Sequence, residues 1–162
     1  MNKPGLFLLI IIISVQLTSC DNQTVFEGKK DLKDGYWLYK EPIYFSFEIE
    51  DATRPYDLSF FVRNTVKYPY QNLYLQYYLE DSLGNVVNEK LYNILLFNQK
   101  TGKPTGSGNG DISTVEKEFL SDFFFPKNGL YRMRFDQFMR HDTLWNIQTV
   151  GLMVKKSESK TE

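Results

Sequence analysis

The stretch "NLYLQYYLED", residues 72–81, decides the fold class because its apolar and polar side chains alternate with a period of two. In an extended strand this spacing sends successive side chains to opposite faces of a sheet. One face receives Leu73, Leu75, Tyr77 and Leu79, and the other receives Tyr74, Gln76, Tyr78 and Glu80. The pattern predicts a strand with one face in the core.

Two earlier segments repeat the alternation. "IYFSFEIED", residues 43–51, places Phe45, Phe47 and Ile49 on one face, and "YDLSFFVRN", residues 56–64, places Leu58, Phe60 and Val62 inward with Arg63 outward. The turn signal at residues 83–85 predicts a hairpin from residues 72–81 into the next strand. Residues 129–137 also alternate cleanly, through Leu130 or Tyr131, Met133 and Phe135. Further strands are predicted over 86–92, over 112–119 from a weaker pattern, and over 145–154, the last with a bulge at Gly151.

The predicted architecture is all-β. Seven or eight short strands with no long amphipathic helix to cover parallel strands favour an antiparallel β-sandwich, either jelly-roll or immunoglobulin-like. We place this single domain at residues 34–155. The sequence leaves the strand order open.

The first nineteen residues have the form of an export signal. Lys3 precedes an apolar run of about ten residues, which is too short to span a bilayer, and "LTSC" follows at residues 17–20. This ending resembles the lipobox of bacterial lipoproteins, in which the final cysteine is acylated and the chain is cut before it. Cys20, the single cysteine, is therefore the predicted lipid attachment site, and it would hold the protein on a membrane.

The segments flanking the predicted domain are polar. Residues 20–33 are predicted to form a lipidated tether, and "KSESKTE", residues 156–162, a disordered tail. Cleavage removes one of the 19 basic side chains and none of the 20 acidic ones, so the mature chain has a net charge near −2. Because basic and acidic groups are interspersed, the composition argues against a nucleic-acid partner.

The sequence offers little support for catalysis or metal binding. The single histidine, His141, stands beside Asp142, but neighbours on a strand point apart and no serine lies in a nucleophile-elbow context. We predict no metal and no cofactor. A glycosidase needs only two carboxylates, for which the candidates are Glu48, Glu50, Asp51, Asp57, Glu80 and Asp81.

The glycine-rich segment "GKPTGSGNGD", residues 102–111, lacks the ending of a phosphate-binding loop. We interpret it as a structural or partner-contacting loop, in which glycines allow positive φ angles or close backbone approach.

Taken together, the chain resembles the gliding-motility lipoprotein family of the Bacteroidetes, the GldH type. The resemblance covers nearly the whole mature chain. It rests on the lipobox at Cys20, "FEIED" at 47–51, "VRN" at 62–64, "YPYQNLYL" at 68–75, "GSGNGD" at 106–111, "NGLYRMRFDQFMR" at 128–140 and "VGLMV" at 150–154. It implies a membrane-anchored accessory protein of the gliding machinery, which in that phylum is tied to type IX secretion, and it implies no enzyme activity.

Docking on another gliding or secretion protein of the envelope is the first functional hypothesis. Polar and aromatic groups at strand ends and bends are the predicted contacts, because loops there present side chains to partners. These residues are Arg63, Asn64, Tyr68, Tyr70, Asn72 and Arg140. Arg63 could instead pair with a carboxylate such as Asp51. The few acids after Cys20 favour a periplasm-facing position.

The second hypothesis is a glycan-binding module. Tyrosine rings stack on sugars, and Tyr74 and Tyr78 lie on the predicted outer face of their strand. Tyrosine also favours half-buried sheet surfaces for purely structural reasons. An exposed, coplanar set of these rings would favour glycan binding, and their burial would count against it.

Overall fold

The computed structural model describes residues 23–158, which form ten strands and no helix. Cys20 and the predicted signal peptide lie outside the described residues, as do residues 159–162. Two four-stranded sheets and a two-stranded ribbon account for all ten strands. The strands are β1 Thr24–Asp31, β2 Tyr36–Leu38, β3 Ile43–Ile49, β4 Tyr56–Thr65, β5 Asn72–Asp81, β6 Val86–Leu95, β7 Ile112–Phe123, β8 Gly129–Gln137, β9 Thr143–Trp145 and β10 Ile147–Lys156.

The strand order resolves the choice between the two predicted sandwich types. The first sheet has the order β1-β10-β4-β7, and the second has the order β3-β8-β5-β6, with all neighbours antiparallel. Successive long strands alternate between the sheets, and only the β5–β6 hairpin stays within one. The pairs β5/β6, β4/β7, β3/β8 and β1/β10 are therefore nested around that hairpin. This arrangement is a jelly roll rather than an immunoglobulin-like sandwich.

The predicted inward faces of β3, β4, β5 and β8 are confirmed. Every second residue of β3 is buried, and Leu73, Leu75, Tyr77 and Leu79 of β5 are each at most 1% exposed. Between the sheets, Phe60 of β4 contacts Phe135 of β8, with ring centroids 6.2 Å apart. The core therefore sits between the two inner faces, as the alternation predicts.

The first strand corrects the predicted domain boundaries. Residues 24–31, predicted as part of a tether, pair with β10 and form an edge strand of the first sheet. Phe26 reaches inward, with its ring 5.8 Å from that of Phe47. At the other terminus, Lys156 belongs to β10 and Ser157 is buried, although both were predicted to lie in the tail. Both differences have the same physical reason. The two termini of the domain are held by backbone pairing between β1 and β10, which does not require alternating apolar residues in the sequence.

The loops that connect the strands are divided between the two ends of the sandwich. We call the end where β1 begins the N-terminal end; it includes the loops at residues 50–55, 82–85 and 124–128. The opposite end includes the loops at 32–35, 66–71, 96–111 and 138–142. In the 96–111 loop, a Cβ on Gly106 would lie 2.2 Å from the Thr114 carbonyl oxygen, so this glycine permits close approach to β7, as predicted for the segment.

Gly151 is not a bulge, in contrast to the sequence prediction. The β10 register continues through it to Phe61, and the irregularity lies between Ile147 and Thr149. A Cβ on Gly151 would lie 2.0 Å from Cζ of Phe61, whose ring covers the glycine. The missing side chain therefore makes room for an aromatic ring on the outer face of the first sheet.

We expect Gly151→Ala to lower the free energy of unfolding by about 1–3 kcal/mol, because the added methyl group must displace the Phe61 ring. Urea denaturation of the purified chain measures this loss. In a Phe61→Ala background the same substitution should cost less, since the ring is gone. Equal losses in both backgrounds would contradict the role assigned to Phe61.

Candidate protein-interaction face

The outer face of the second sheet carries several exposed apolar side chains. Tyr74 and Leu91 are exposed on β5 and β6, and Tyr44 is exposed on β3. Phe138, directly after β8, is exposed as well, and its backbone N–H donates to the Tyr74 carbonyl at 2.8 Å. We call this outer face, together with Phe138, the interaction face.

At the opposite end of the sandwich, the interaction face opens into a groove of about 530 Å³. Strand β5 and the bend before it supply two tyrosines, β6 supplies a leucine, and the turn after β8 supplies the remaining side chains. We call this the aromatic groove, and its lining residues are Tyr70, Tyr74, Leu91, Phe138, Met139, Arg140 and His141.

A buried glutamine shapes the turn that borders the groove. Gln137 is fully buried at the end of β8, and its Nε2 donates to the His141 carbonyl at 2.9 Å. Its Oε1 accepts from the Met139 backbone N–H at 2.9 Å. Both side-chain groups of Gln137 are thus satisfied by the 138–142 turn, which keeps Phe138 and Arg140 at the surface.

Tyr70 is held in the groove from two sides. Its ring stacks on His141, with centroids 5.1 Å apart, and meets the Tyr68 ring edge-on at 5.7 Å. Tyr68 in turn stacks on Phe97 and donates its hydroxyl to the Asn72 carbonyl at 3.0 Å. Burial raises the pKa of Tyr68 well above its usual range. Buried Tyr68 therefore packs against Tyr70 and helps to hold it in the groove.

Two of the six predicted partner contacts line the groove, and the other four do not. Tyr70 and Arg140 both line the groove, and half-buried Asn72 lies at the start of β5, where its Nδ2 donates to Asn93 at 2.7 Å. Asn64 and Tyr68 were predicted as contacts, but they are 0% and 5% exposed, so their side chains are not available to a partner.

Arg63 belongs to a different surface. It is exposed on β4 in the first sheet, where its Nε lies 3.4 Å from Oγ1 of Thr114. The alternative pairing with Asp51 is wrong, because Asp51 lies at the N-terminal end and Arg63 lies towards the opposite end.

Sequence reasoning missed Phe138, Gln137 and the stacking role of His141. Their positions depend on a turn that follows the last alternating residue of β8. The sequence pattern of β6 does indicate Leu91, because this apolar residue lies on the same strand face as two polar residues, Glu89 and Asn93.

A charged cluster occupies the middle of the interaction face. Glu80 is buried and accepts from Nε and Nη2 of Arg132 at 2.8 and 2.5 Å, while Nη1 of Arg134 lies 3.8 Å away. Arg134 also contacts Asp136 at 3.3 Å. Desolvation raises the pKa of Asp136, and the charge of Arg134 opposes that rise. The contacts of Arg132 and Arg134 with Glu80 cross from β8 to β5 and tie the two strands together.

The tyrosines of this face do not form an open stacking platform. The guanidinium of Arg134 lies 3.8 Å from the ring centroid of half-buried Tyr78. Arg132 lies 5.3 Å from the ring of Tyr44. Because Arg134 covers one face of Tyr78, the set of exposed rings expected for glycan binding is incomplete.

Several candidate carboxylates already serve the fold. Asp51 accepts hydrogen bonds from the hydroxyl and backbone N–H of Thr53, and these lower its pKa. The pKa of Asp81 is lowered in the same way, chiefly by its hydrogen bonds with Asn85. The general acid of glycoside hydrolysis needs a raised pKa, so neither group has the property that this role requires.

Among residues 23–158, no group of three or more His, Cys, Asp or Glu side chains could hold a metal ion. The same residues contain no helix with the length and apolar character needed to cross a bilayer.

Comparison with known proteins identifies relatives along almost the entire chain. The "Gliding motility lipoprotein GldH homolog" of Christiangramia forsetii is 26% identical over 163 residues, covering 96% of this chain and 97% of that protein. The "Gliding motility lipoprotein GldH" of Flavobacterium johnsoniae is 24% identical, covering 93% and 96%. Among solved structures, the infectious bursal disease virus VP2 subviral particle aligns with 85% of this chain and 32% of that chain, at 13% identity and a TM-score of 0.38.

The family model described as "GldH lipoprotein" matches residues 24–154. This range begins with the first residue of β1 and ends within β10, so it includes both sheets and the interaction face. The resemblance inferred from the sequence motifs is thereby confirmed, and the chain belongs to the GldH lipoprotein family.

Proposed function

We propose that the protein is a non-catalytic, lipid-anchored component of the gliding-motility and type IX secretion apparatus, which binds another envelope protein through the aromatic groove. Acylated Cys20 provides the anchor, and the domain faces the periplasm. The observation that carries this proposal is the concentration of exposed apolar side chains around a groove shaped by a buried glutamine. Aromatic and arginine side chains of this kind are typical anchors of protein interfaces.

The chemistry of the groove indicates what its partner presents. Phe138, Tyr74 and Leu91 offer apolar surface, and Arg140 at the rim is exposed and makes no ion pair among residues 23–158. A matching partner therefore inserts an apolar side chain and places a carboxylate against Arg140. Four other charged groups of the interaction face, Glu80, Arg132, Arg134 and Asp136, already pair with one another, so they contribute little attraction.

We expect a Phe138→Ala, Arg140→Glu double variant to lose about tenfold or more of its recovery with envelope partners, because hot-spot contacts typically cost 2 kcal/mol or more. Both residues are exposed, so the variant should fold normally. Co-purification from detergent-solubilised envelopes, quantified by mass spectrometry, measures the loss.

The matched control is an Ile112→Ala, Lys29→Glu double variant. Ile112 is exposed at the start of β7, and Lys29 is exposed on β1, both in the first sheet. This control should retain its partners. Full retention of partners by the groove variant would refute the proposal.

A separate measurement, binding to a glycan array, distinguishes a glycan ligand from a protein partner. Binding of the purified mature chain to a glycan array, lost on Tyr44→Ala and Tyr74→Ala substitution, would support the alternative function instead.

A further inference from the structure

The N-terminal end of the sandwich carries apolar side chains at its tips. Leu83, at the tip of the β5–β6 hairpin, is 79% exposed, and Phe124, in the β7–β8 loop, is 58% exposed. Leu130, just after that loop, is also exposed and lines the same shallow cavity as Leu83. Turns at a water-exposed surface are usually polar, so apolar tips at one end indicate a contact outside the domain.

The hairpin holds Leu83 outward without help from packing. Oδ1 of Asp81 accepts from the backbone N–H groups of Leu83 and Asn85, each at 2.9 Å. Gly84 adopts a φ of +83°, which a glycine tolerates and most residues do not. Because these groups define the turn, the leucine side chain is not required for its conformation.

Phe124 is the outward member of a run of three phenylalanines. Phe125 is buried, and its ring packs edge-on against Phe123 at 5.1 Å. The two neighbours thus anchor the loop in the domain, while Phe124 points away from it. The loop continues to Lys127, whose backbone carbonyl accepts from the Tyr131 hydroxyl at 2.7 Å.

The proposed anchor is covalently close to these tips. Strand β1 begins at Thr24, and the residue before it, Gln23, lies only three positions after Cys20. At about 3.6 Å per residue, three residues span at most roughly 11 Å. Because β1 is fixed in the sheet, an acyl chain on Cys20 brings the N-terminal end to within that distance of the bilayer.

We propose that the N-terminal end of the sandwich rests on the bilayer, with Leu83 and Phe124 inserted among the lipid head groups and upper acyl chains. This inference rests on the proposed acylation of Cys20. It deepens the proposed function because it turns the aromatic groove, at the opposite end, away from the membrane and towards a partner.

The charges of this end favour apolar insertion over attraction to anionic lipid as the source of the contact. Arg54, Lys127 and Lys156 are accompanied by Asp51 and Asp81, which accept hydrogen bonds within their own turns. The end is therefore not a basic patch. Insertion should accordingly persist at high salt.

The test uses the natural placement of the two tryptophans. Trp37 and Trp145 both lie at the opposite end, in the ribbon of β2 and β9. The acylated mature chain carrying Leu83→Trp is reconstituted in phosphatidylethanolamine vesicles with a minor share of phosphatidylglycerol. Tryptophan emission is compared between lipids with brominated acyl chains, which quench by contact, and unbrominated lipids. We expect brominated lipid to remove most of the emission added by residue 83 and to leave wild-type emission unchanged.

The matched control is Leu95→Trp. Leu95 is an exposed leucine at the other end of β6, so its tryptophan should not be quenched. Phe124→Trp provides a second quenched position if Leu83→Trp fails to fold. Equal emission of both N-terminal variants in the two lipids, or equal quenching at residues 83 and 95, would overturn the inference.

Mass spectrometry of the reconstituted chain separates the two possible failures. A chain without acyl groups would overturn the proposed anchor and this inference together. An acylated chain with unquenched tryptophan at residues 83 and 124 would overturn this inference alone and leave the docking proposal intact.

Discussion

Replacing Phe60 with alanine is expected to lower the free energy of unfolding by about 3–5 kcal/mol. Phe60 is fully buried on β4, and its ring contacts Phe119, Phe135 and Tyr92 at centroid distances of 5.7, 6.2 and 6.4 Å. Two of these rings belong to the opposite sheet, so the substitution leaves a cavity between the layers. For a domain whose total stability is about 5–15 kcal/mol, this loss is a large fraction.

Urea denaturation followed by the fluorescence of buried Trp37 measures this loss. Phe138→Ala is the matched control, because the same residue type is 50% exposed there. Its effect should stay within about 0.5 kcal/mol. Similar losses for the two variants would show that Phe60 does not occupy the centre of the core.

Arg132→Ala is the second substitution with a large expected effect, at about 2–4 kcal/mol of unfolding free energy. Its guanidinium makes two hydrogen bonds to Oε2 of Glu80, a carboxylate that is only 7% exposed. Without Arg132, Glu80 keeps only Arg134, at 3.8 Å, and remains a poorly compensated charge. The expected loss is below that of a fully buried pair because Arg132 itself is half exposed.

Two further variants test this explanation. Adding Glu80→Gln to Arg132→Ala should restore part of the lost stability, since a neutral amide costs less to bury than a carboxylate. Arg63→Ala should change stability by no more than about 0.5 kcal/mol, because Arg63 is exposed and makes one long contact. If Glu80→Gln destabilises the Arg132→Ala chain further, the buried charge is not the source of the loss.

The fold could be predicted where the alternation is long and each strand has one buried face. Strands β3, β4, β5 and β8 meet this condition, and their inward residues are the predicted ones. Strand β1 does not, because Phe26 is its main inward group and backbone pairing with β10 holds the rest. The jelly-roll order was not predictable either, since it depends on which distant strands pair.

The interaction face was predicted in part, for related reasons. Tyr70 and Arg140 were selected because they occupy a bend and a loop, and both line the groove. The position of Tyr68 beside Pro69 predicts a contact equally well, but Phe97, from a distant loop, covers its ring. Glu80 lies on the predicted face of β5, yet arginines from β8 close over it. Local patterns give the direction of a side chain, whereas its exposure depends on distant neighbours.

The pairing of β1 with β10 determines how the domain bears a mechanical load. The two strands are antiparallel and in contact from Thr24 to Asp31, and ladder hydrogen bonds run perpendicular to the strands. A pull on the amino-terminal side of Thr24, directed along β1, loads these bonds in shear. The bonds then share the force and must break together, whereas peeling would break them one at a time. The first strand is thus suited to resist tension that reaches the domain through the residues before Thr24.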